Sequence, residues 1–431
     1  MSSLLAAYPD QLNTILEHAE GRTGEGPSWL KELRRRALAI FREHGVPTTK
    51  NEEWKYTPLR TVAETSWNVA VQGELKAELP FVVEGSLRVV LVNGVVSEEL
   101  SSLRPVEGLT LCSLDSALIL HPELVEKSLG SVASLPKHPF AALNTALWSG
   151  GLFVHFAANS VVEPVIEIIH VSAGGGMAVA PRILVVAEEG AQGKTTERYI
   201  SQPGEVNLVL PVTESIISGG ANIEHVRIQV EEGDSLHIGL WESSMGTNTT
   251  FHAFNVVFGA ALHRLDQNIL LGGEHATCRL DGVVVAHESQ LLDNHTNLDH
   301  AVPNCSSFEV YKQIIDDQAT IVFNGKIYVH PGAQKTDAKQ TNQALLLSPN
   351  ATINSKPQLE IFADDVKCTH GATVGQLEEA PLFYLMSRGM PKAQAQGIMV
   401  YAFAAEVMEL ISIREVVDDL EARLFSKLAV L

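Results

Sequence analysis

Two side chains carry the most chemistry in this sequence. They are Cys368 and His370, in the stretch EIFADDVKCTHGATVGQLEEAPLFYLMSRGMPKAQAQG at 360–397. On an extended strand, residues i and i+2 share a face and lie about 6–7 Å apart, at about 3.3 Å rise per residue. A thiolate beside an imidazole is a soft-to-borderline donor pair, suited to iron, zinc or an iron–sulfur species. Closed sites of that kind take about four ligands. Two donors make half a site, and the rest must come from distant residues or from another chain. The plain alternative is a buried structural cysteine beside a hydrogen-bonded histidine.

The same stretch shows what must hold the pair. Ile361, Val366, Cys368 and His370 alternate with more polar neighbours, which predicts a strand. Leu382, Leu385 and Met386 then recur at three to four residues, with Pro381 near the start and Gly389 after the end, which predicts a helix. The pair therefore sits where a sheet-like body hands over to a helical tail.

Other arrangements that could carry chemistry are weaker. His287, His295 and His300, with Asp293 and Asp299, resemble a metal box, but gaps of eight and five residues fit no single helix turn. A structural or hydrogen-bonding role is the expectation for them and for His330. Cys305 reads as a small buried residue. No G-x-x-x-x-G-K-[ST] occurs, so the chain should not hydrolyse ATP, and no G-x-S-x-G supports a hydrolase. Cys112, Cys278, Cys305 and Cys368 are far apart with no C-x-x-C, which argues against a self-contained zinc or ferredoxin site. That usage fits a reduced, cytoplasmic protein.

Composition narrows the partners. The 431 residues include 51 acids against 31 Lys and Arg, a net charge of −20. That balance opposes nucleic acid and anionic membranes as partners. With 45% apolar residues a sizeable core is available, yet no apolar run is long enough for a membrane span. The start, MSSLLAAYPDQL, lacks the basic and apolar regions of a secretion signal.

Three regions are expected. Residues 1–150 read as mixed and helical. Ser28 is a candidate N-cap, Trp29, Leu33, Ile40 and Phe41 lie near one face, and Gly45 and Pro47 end the helix. The basic run 34–36 reads as a solvated face, and Trp54 and Tyr56 as a packing anchor. Leu87–Val92 reads as a strand closed by the turn Asn93-Gly94, and His138–Leu147 as a short helix. Over 151–379, short apolar strands follow one another with little helix. Examples are VIEIIHV at 165–171, ATIVF at 319–323 and KIYVH at 326–330. Small pairs such as Gly190-Ala191, Gly220-Ala221, Gly332-Ala333 and Gly371-Ala372 mark corners. This pattern suggests a solenoid, with a β-sandwich or jelly roll as its rival. Residues 380–431 read as three helices, and Val416, Val417, Leu420, Leu424 and Leu428 form one stripe. Such a tail could cap the solenoid's open end and dock a partner with its other face.

Several motifs together carry a resemblance. DDVKCTHGATVGQL followed by LFYLMSRGM, NEEWKYTPL at 51–59, LRVVLVNG at 87–94, HPFAALNTAL at 138–147 and the long block at 294–348 are similar to the SufB/SufD family of SUF iron–sulfur cluster assembly proteins. The Cys-Thr-His-Gly version around 368 resembles the SufD branch. The resemblance runs nearly end to end. It implies a mainly β fold, a right-handed parallel β-helix core with N- and C-terminal helical regions. It implies a non-enzymatic scaffold that works with SufB and the ABC-type ATPase SufC, and that holds no cofactor stably. A nascent cluster site lies at the SufB interface, and the matching positions are Cys368 and His370, as transient metal ligands in a cluster shared with SufB. SufC docks on the C-terminal helices, which makes Leu382, Phe383, Tyr384 and Arg388 contact candidates. The rival functions are a β-helix enzyme acting on polysaccharide and a purely structural homodimeric solenoid; a homodimer is also a candidate state of the lone chain.

Overall fold

A computed structural model describes residues 10–69, 75, 79, 83–202, 204–231 and 233–428. Most of the stretch MSSLLAAYPDQL, and the Leu428 side chain, lie outside the described residues.

The core is a parallel β-solenoid. One sheet stacks Leu152–Phe156, Arg182–Ala187, Val212–Ile217, Leu236–Met245, Leu262–Leu271, Leu291–His300, Thr320–Val329 and Thr352–Ile361. The other stacks Ile166–Ser172, Gln192–Ser201, Asn222–Gln229, Thr250–Val257, Thr277–Ala286, Ser306–Ile315, Asp337–Leu346 and Lys367–Gly375. Strands from Leu262, Leu291, Thr320 and Thr352 begin 29, 29 and 32 residues apart, one coil each. Pairing between coils is in register, so each position recurs as a lane along the stack. Leu87–Val92 and Leu109–Ser113 also join the two sheets, N-terminal to residue 151.

Alternation within each strand decides which face a residue serves. In Thr277–Ala286, Cys278, Leu280, Val284 and Ala286 enter the lumen core, while Val283 and Val285 face outward. The outward residues meet Val400, Ala404, Met408, Val416, Val417, Leu420 and Leu424 of the C-terminal helices. Those helices are Lys392–Met408 and Arg414–Leu428. They lie along the flank of the second sheet rather than over the last coil, so the expected cap is absent among the described residues. The reason is compositional: the outward stripe of Phe254, Val256, Val283, Val285 and Ile314 offers more apolar surface than the polar last rung.

The N-terminal region covers the other sheet in the same way. Leu38, Phe41, Trp54 and Phe140 pack with Leu210, Val212, Ile238 and Leu240. The helix Pro139–Leu147 is wholly buried. Its Asn144 donates to Pro181 O at 2.9 Å and Leu210 O at 2.7 Å, tying two coils together. Arg34 is a correction to the solvated face: it is 2% exposed, donates to Arg22 O and Trp148 O, and stacks on Trp148. Its position among Leu30, Ala37 and Leu38 turns it inward.

Of the dipeptide readings, one holds and one changes. Asn93-Gly94 is a hairpin turn, with φ of 51° and 86° as a two-residue turn of that hand requires. Residues 319–323 and 326–330, read as two strands, form the single strand Thr320–Val329. Gly371-Ala372 is no corner, because it lies inside Lys367–Gly375.

Candidate functional site

The solenoid ends on an open rung. Thr352–Ile361 and Lys367–Gly375 are the terminal strands of the two sheets, and neither contains a buried residue. The free edge of Lys367–Gly375 presents unpaired backbone groups, a ready template for another chain. Cys368 and His370 sit on this strand, as predicted, but Ile361, read with them, ends the preceding strand, and a corner at 362–366 separates the two. Cys368 pairs in register with Ala338, and His370 with Gln340. Both partners point into the lumen, since Ala338 is in the lumen core and Gln340 is 1% exposed. Cys368 and His370 therefore share the lumen-side face at the mouth of the solenoid. Cys368 is half-buried against the core and His370 is exposed.

Burial pushes the Cys368 thiol up, partly opposed by the Ala338 backbone hydrogen bond. The free thiol is thus held protonated until a cation or metal draws off the proton. Among the described residues no group of three or more His, Cys, Asp and Glu is arranged to hold a metal ion. The end rung offers two donors of the right kind, fewer than the four a closed site takes.

The helix Glu379–Ser387 follows directly, and none of its residues is buried. Phe383 is 73% exposed and Tyr384 56%, while Leu382 is half-buried. Arg388 lies 5.2 Å from the Tyr384 ring. Gly389 closes the helix at φ 91°. This short helix displays two large aromatic rings to solvent.

The remaining histidines have structural partners. His295 sits 3.0 Å from Asp293 and 3.4 Å from Glu53. Burial alone would lower its pKa, but the Asp293 and Glu53 carboxylates together raise it. His300 bonds Ser307 at 2.8 Å inside the lumen, His330 pairs with Asp299 at 2.9 Å outside it, and Lys427 donates to His287 at 2.8 Å. The five groups of the apparent box are spread over a corner, an outer face and the lumen. Cys305 is fully buried, its thiol donating to Gly273 O at 3.2 Å.

The NEEWKYTPL segment is a strap across the outer face of the first sheet. Trp54 lies 5.9 Å from Phe140, with the Arg264 guanidinium 4.3 Å over its ring. Arg264 also donates to Glu53 O at 2.7 Å, and the Thr57 hydroxyl donates to Asp293. Trp54 is the anchor. Tyr56 is not: it is 44% exposed.

One set of residues near the pair escaped the sequence reading. Glu309, Gln340 and His370 occupy one lane of three consecutive strands. Their spacings of 31 and 30 residues, one coil each, were the available signal.

Comparison with known proteins places this geometry. Residues 169–403 match the family model described as SUF system FeS cluster assembly, SufBD core domain, and 23–168 match the SufBD protein N-terminal region. The iron–sulfur cluster assembly protein SufD of Escherichia coli is 29% identical over 415 residues, 94% of each chain. A SufBD-family iron–sulfur cluster assembly protein of Synechocystis is 31% identical over 407 residues, 90% of this chain and 89% of its own. The SufD of Bacillus subtilis is 26% identical, covering 90% and 92%.

Proposed function

The chain belongs to the SufBD family of SUF-system iron–sulfur cluster assembly proteins, and on that premise we propose that it is a scaffold subunit of a SufB–SufC–SufD complex. The observation that carries this reading is the open last rung, with Cys368 and His370 at its mouth and the C-terminal helices packed on the flank. A second subunit of the same fold adds its strands to the free edge and supplies the missing ligands. Iron and sulfide are cargo, held between the two chains by an incomplete set of donors. An incomplete set suits a scaffold, because the finished cluster must leave.

The chain lacks a nucleotide-binding loop, so the energy comes from SufC, which docks on Glu379–Ser387 through Leu382, Phe383, Tyr384 and Arg388. No helix among the described residues is long and apolar enough to cross a membrane. Co-expression with SufB and SufC tests the proposal. A stable complex of the three, recovered through a tag on this chain alone, is the expected result. A chain that purifies alone, or only as a homodimer, with both partners present refutes it.

A further inference from the structure

Behind His370, inside the lumen, stands a buried pair that the proposed reaction leaves unused. Gln340 is directly below His370 in register and Glu309 directly below Gln340. Glu309 and Gln340 are each 1% exposed. The Gln340 Nε2 group donates to Glu309 Oε2 at 2.7 Å. That bond fixes which way the amide lies and leaves Gln340 Oε1 buried with no hydrogen-bond partner. The seat for the amide is built from across the lumen. A Cβ on Gly325 would meet Gln340 Nε2 and the Phe323 ring, so the glycine leaves room for the amide where it lies.

A buried acceptor left unmet is costly, and buried acceptors in folded proteins are nearly always satisfied. Side chains in register on adjacent parallel strands stand about 5 Å apart at their bases. His370 is the side chain one strand beyond Gln340 in that lane, and it makes no side-chain hydrogen bond among the described residues. An imidazole that donates one ring N–H to an amide oxygen carries its lone pair on the other nitrogen. Metal-binding histidines are commonly held in this way, and losing the outer partner weakens metal affinity by about 10–100-fold.

We propose that Gln340, anchored by Glu309, is a positioning residue that accepts the His370 ring N–H and turns the other ring nitrogen outward, toward iron held at the subunit edge. The inference rests on the reading of His370 as a cluster ligand. It adds a residue pair that fixes the tautomer of that ligand from within the solenoid.

Two measurements test it on the full-length chain. In protein labelled with ¹⁵N-histidine, long-range proton–nitrogen spectra report the tautomer of His370, its signal identified by loss in His370→Ala. Wild type is expected to show one neutral tautomer in excess, and Gln340→Leu a mixture. In parallel, iron and acid-labile sulfide are counted in the purified complex with SufB and SufC. Gln340→Leu is expected to lose most of the iron at limiting supply, with circular dichroism unchanged. If Gln340→Leu fails to fold, Glu309→Leu replaces it. That variant removes the anchor and keeps the amide, and the same losses are expected. Loss of iron in His370→Ala with full iron and an unchanged tautomer in Gln340→Leu or Glu309→Leu overturns the inference while the cluster-ligand reading stands. Full iron in His370→Ala overturns the ligand reading, and the inference with it.

Discussion

Glu309→Gln should stabilise this protein by an amount that grows as pH rises from about 4.5 to about 7 and stays constant above that. The Glu309 carboxyl is 1% exposed, and burial pushes its pKa from 4.5 up to about 7, with Asp281 adding repulsion and the Gln340 hydrogen bond opposing it. The unfolded chain releases this proton near 4.5 and the folded chain near 7. Between those values the folded state binds more protons, so this group's contribution to stability falls as pH rises. It is most favourable below about 4.5 and reaches a constant penalty above about 7. Moving from 4.5 to about 7 corresponds to about 3 kcal/mol between the two protonation states. An amide of the same shape is neutral throughout, and its oxygen still accepts from Gln340. Urea unfolding followed by tryptophan fluorescence, on both proteins at about pH 5 and about pH 8.5, measures the difference directly. The variant should match wild type at the lower pH and exceed it by about 2–3 kcal/mol at the higher. Taking the difference cancels other buried carboxyls such as Glu167 and Glu242, which are also raised to about 7. Equal gaps at the two pH values would show that Glu309 is not held protonated in the lumen.

Three further outcomes follow from the packing. Trp54→Ala removes the ring sandwiched between Arg264 and Phe140 and should cost about 3–5 kcal/mol, with faster proteolysis of the N-terminal region as its sign. Arg182→Met strands the buried Glu214 carboxylate, its ion-pair partner. It should cost about 3–5 kcal/mol by urea unfolding, and adding Glu214→Gln should return most of that. Phe383→Asp replaces a ring that is 73% exposed, so circular dichroism and melting temperature should not change. Its binding to SufC, measured by calorimetry, should weaken at least tenfold, about 1.4 kcal/mol.

The sequence showed the strands and corners more clearly than their assembly. Alternation identified the strand around Cys368 and His370, because a strand's face follows from local spacing alone. It could not separate a solenoid from a sandwich, because that choice depends on which strand each one pairs with about 30 residues away. The break between 319–323 and 326–330, and Gly371-Ala372 as a corner, misled for a related reason. Gly325 leaves lumen space around Gln340 rather than making a turn. The helical tail was legible as helix, but its docking on the flank depended on the outward stripe of Phe254, Val256 and Val283, which appears only once the coils are in register. Arg34 was read as solvated from its neighbours Arg35 and Arg36, although one helical step turns it under Trp148. The motif residues Asn144 and Trp54 proved to be ties between the N-terminal region and the solenoid.

The central claim is that the open rung contributes ligands which a second subunit completes. Iron and acid-labile sulfide per purified SufB–SufC–SufD complex, in wild type and in Cys368→Ala and His370→Ala, test it most directly. Both residues lie on a strand without buried residues, so the complexes should form at full yield. The account predicts intact complexes with less than about half the wild-type iron and sulfide, His370→Ala being the poorer, as expected for lost ligands. Wild-type iron and sulfide in both variants would contradict it.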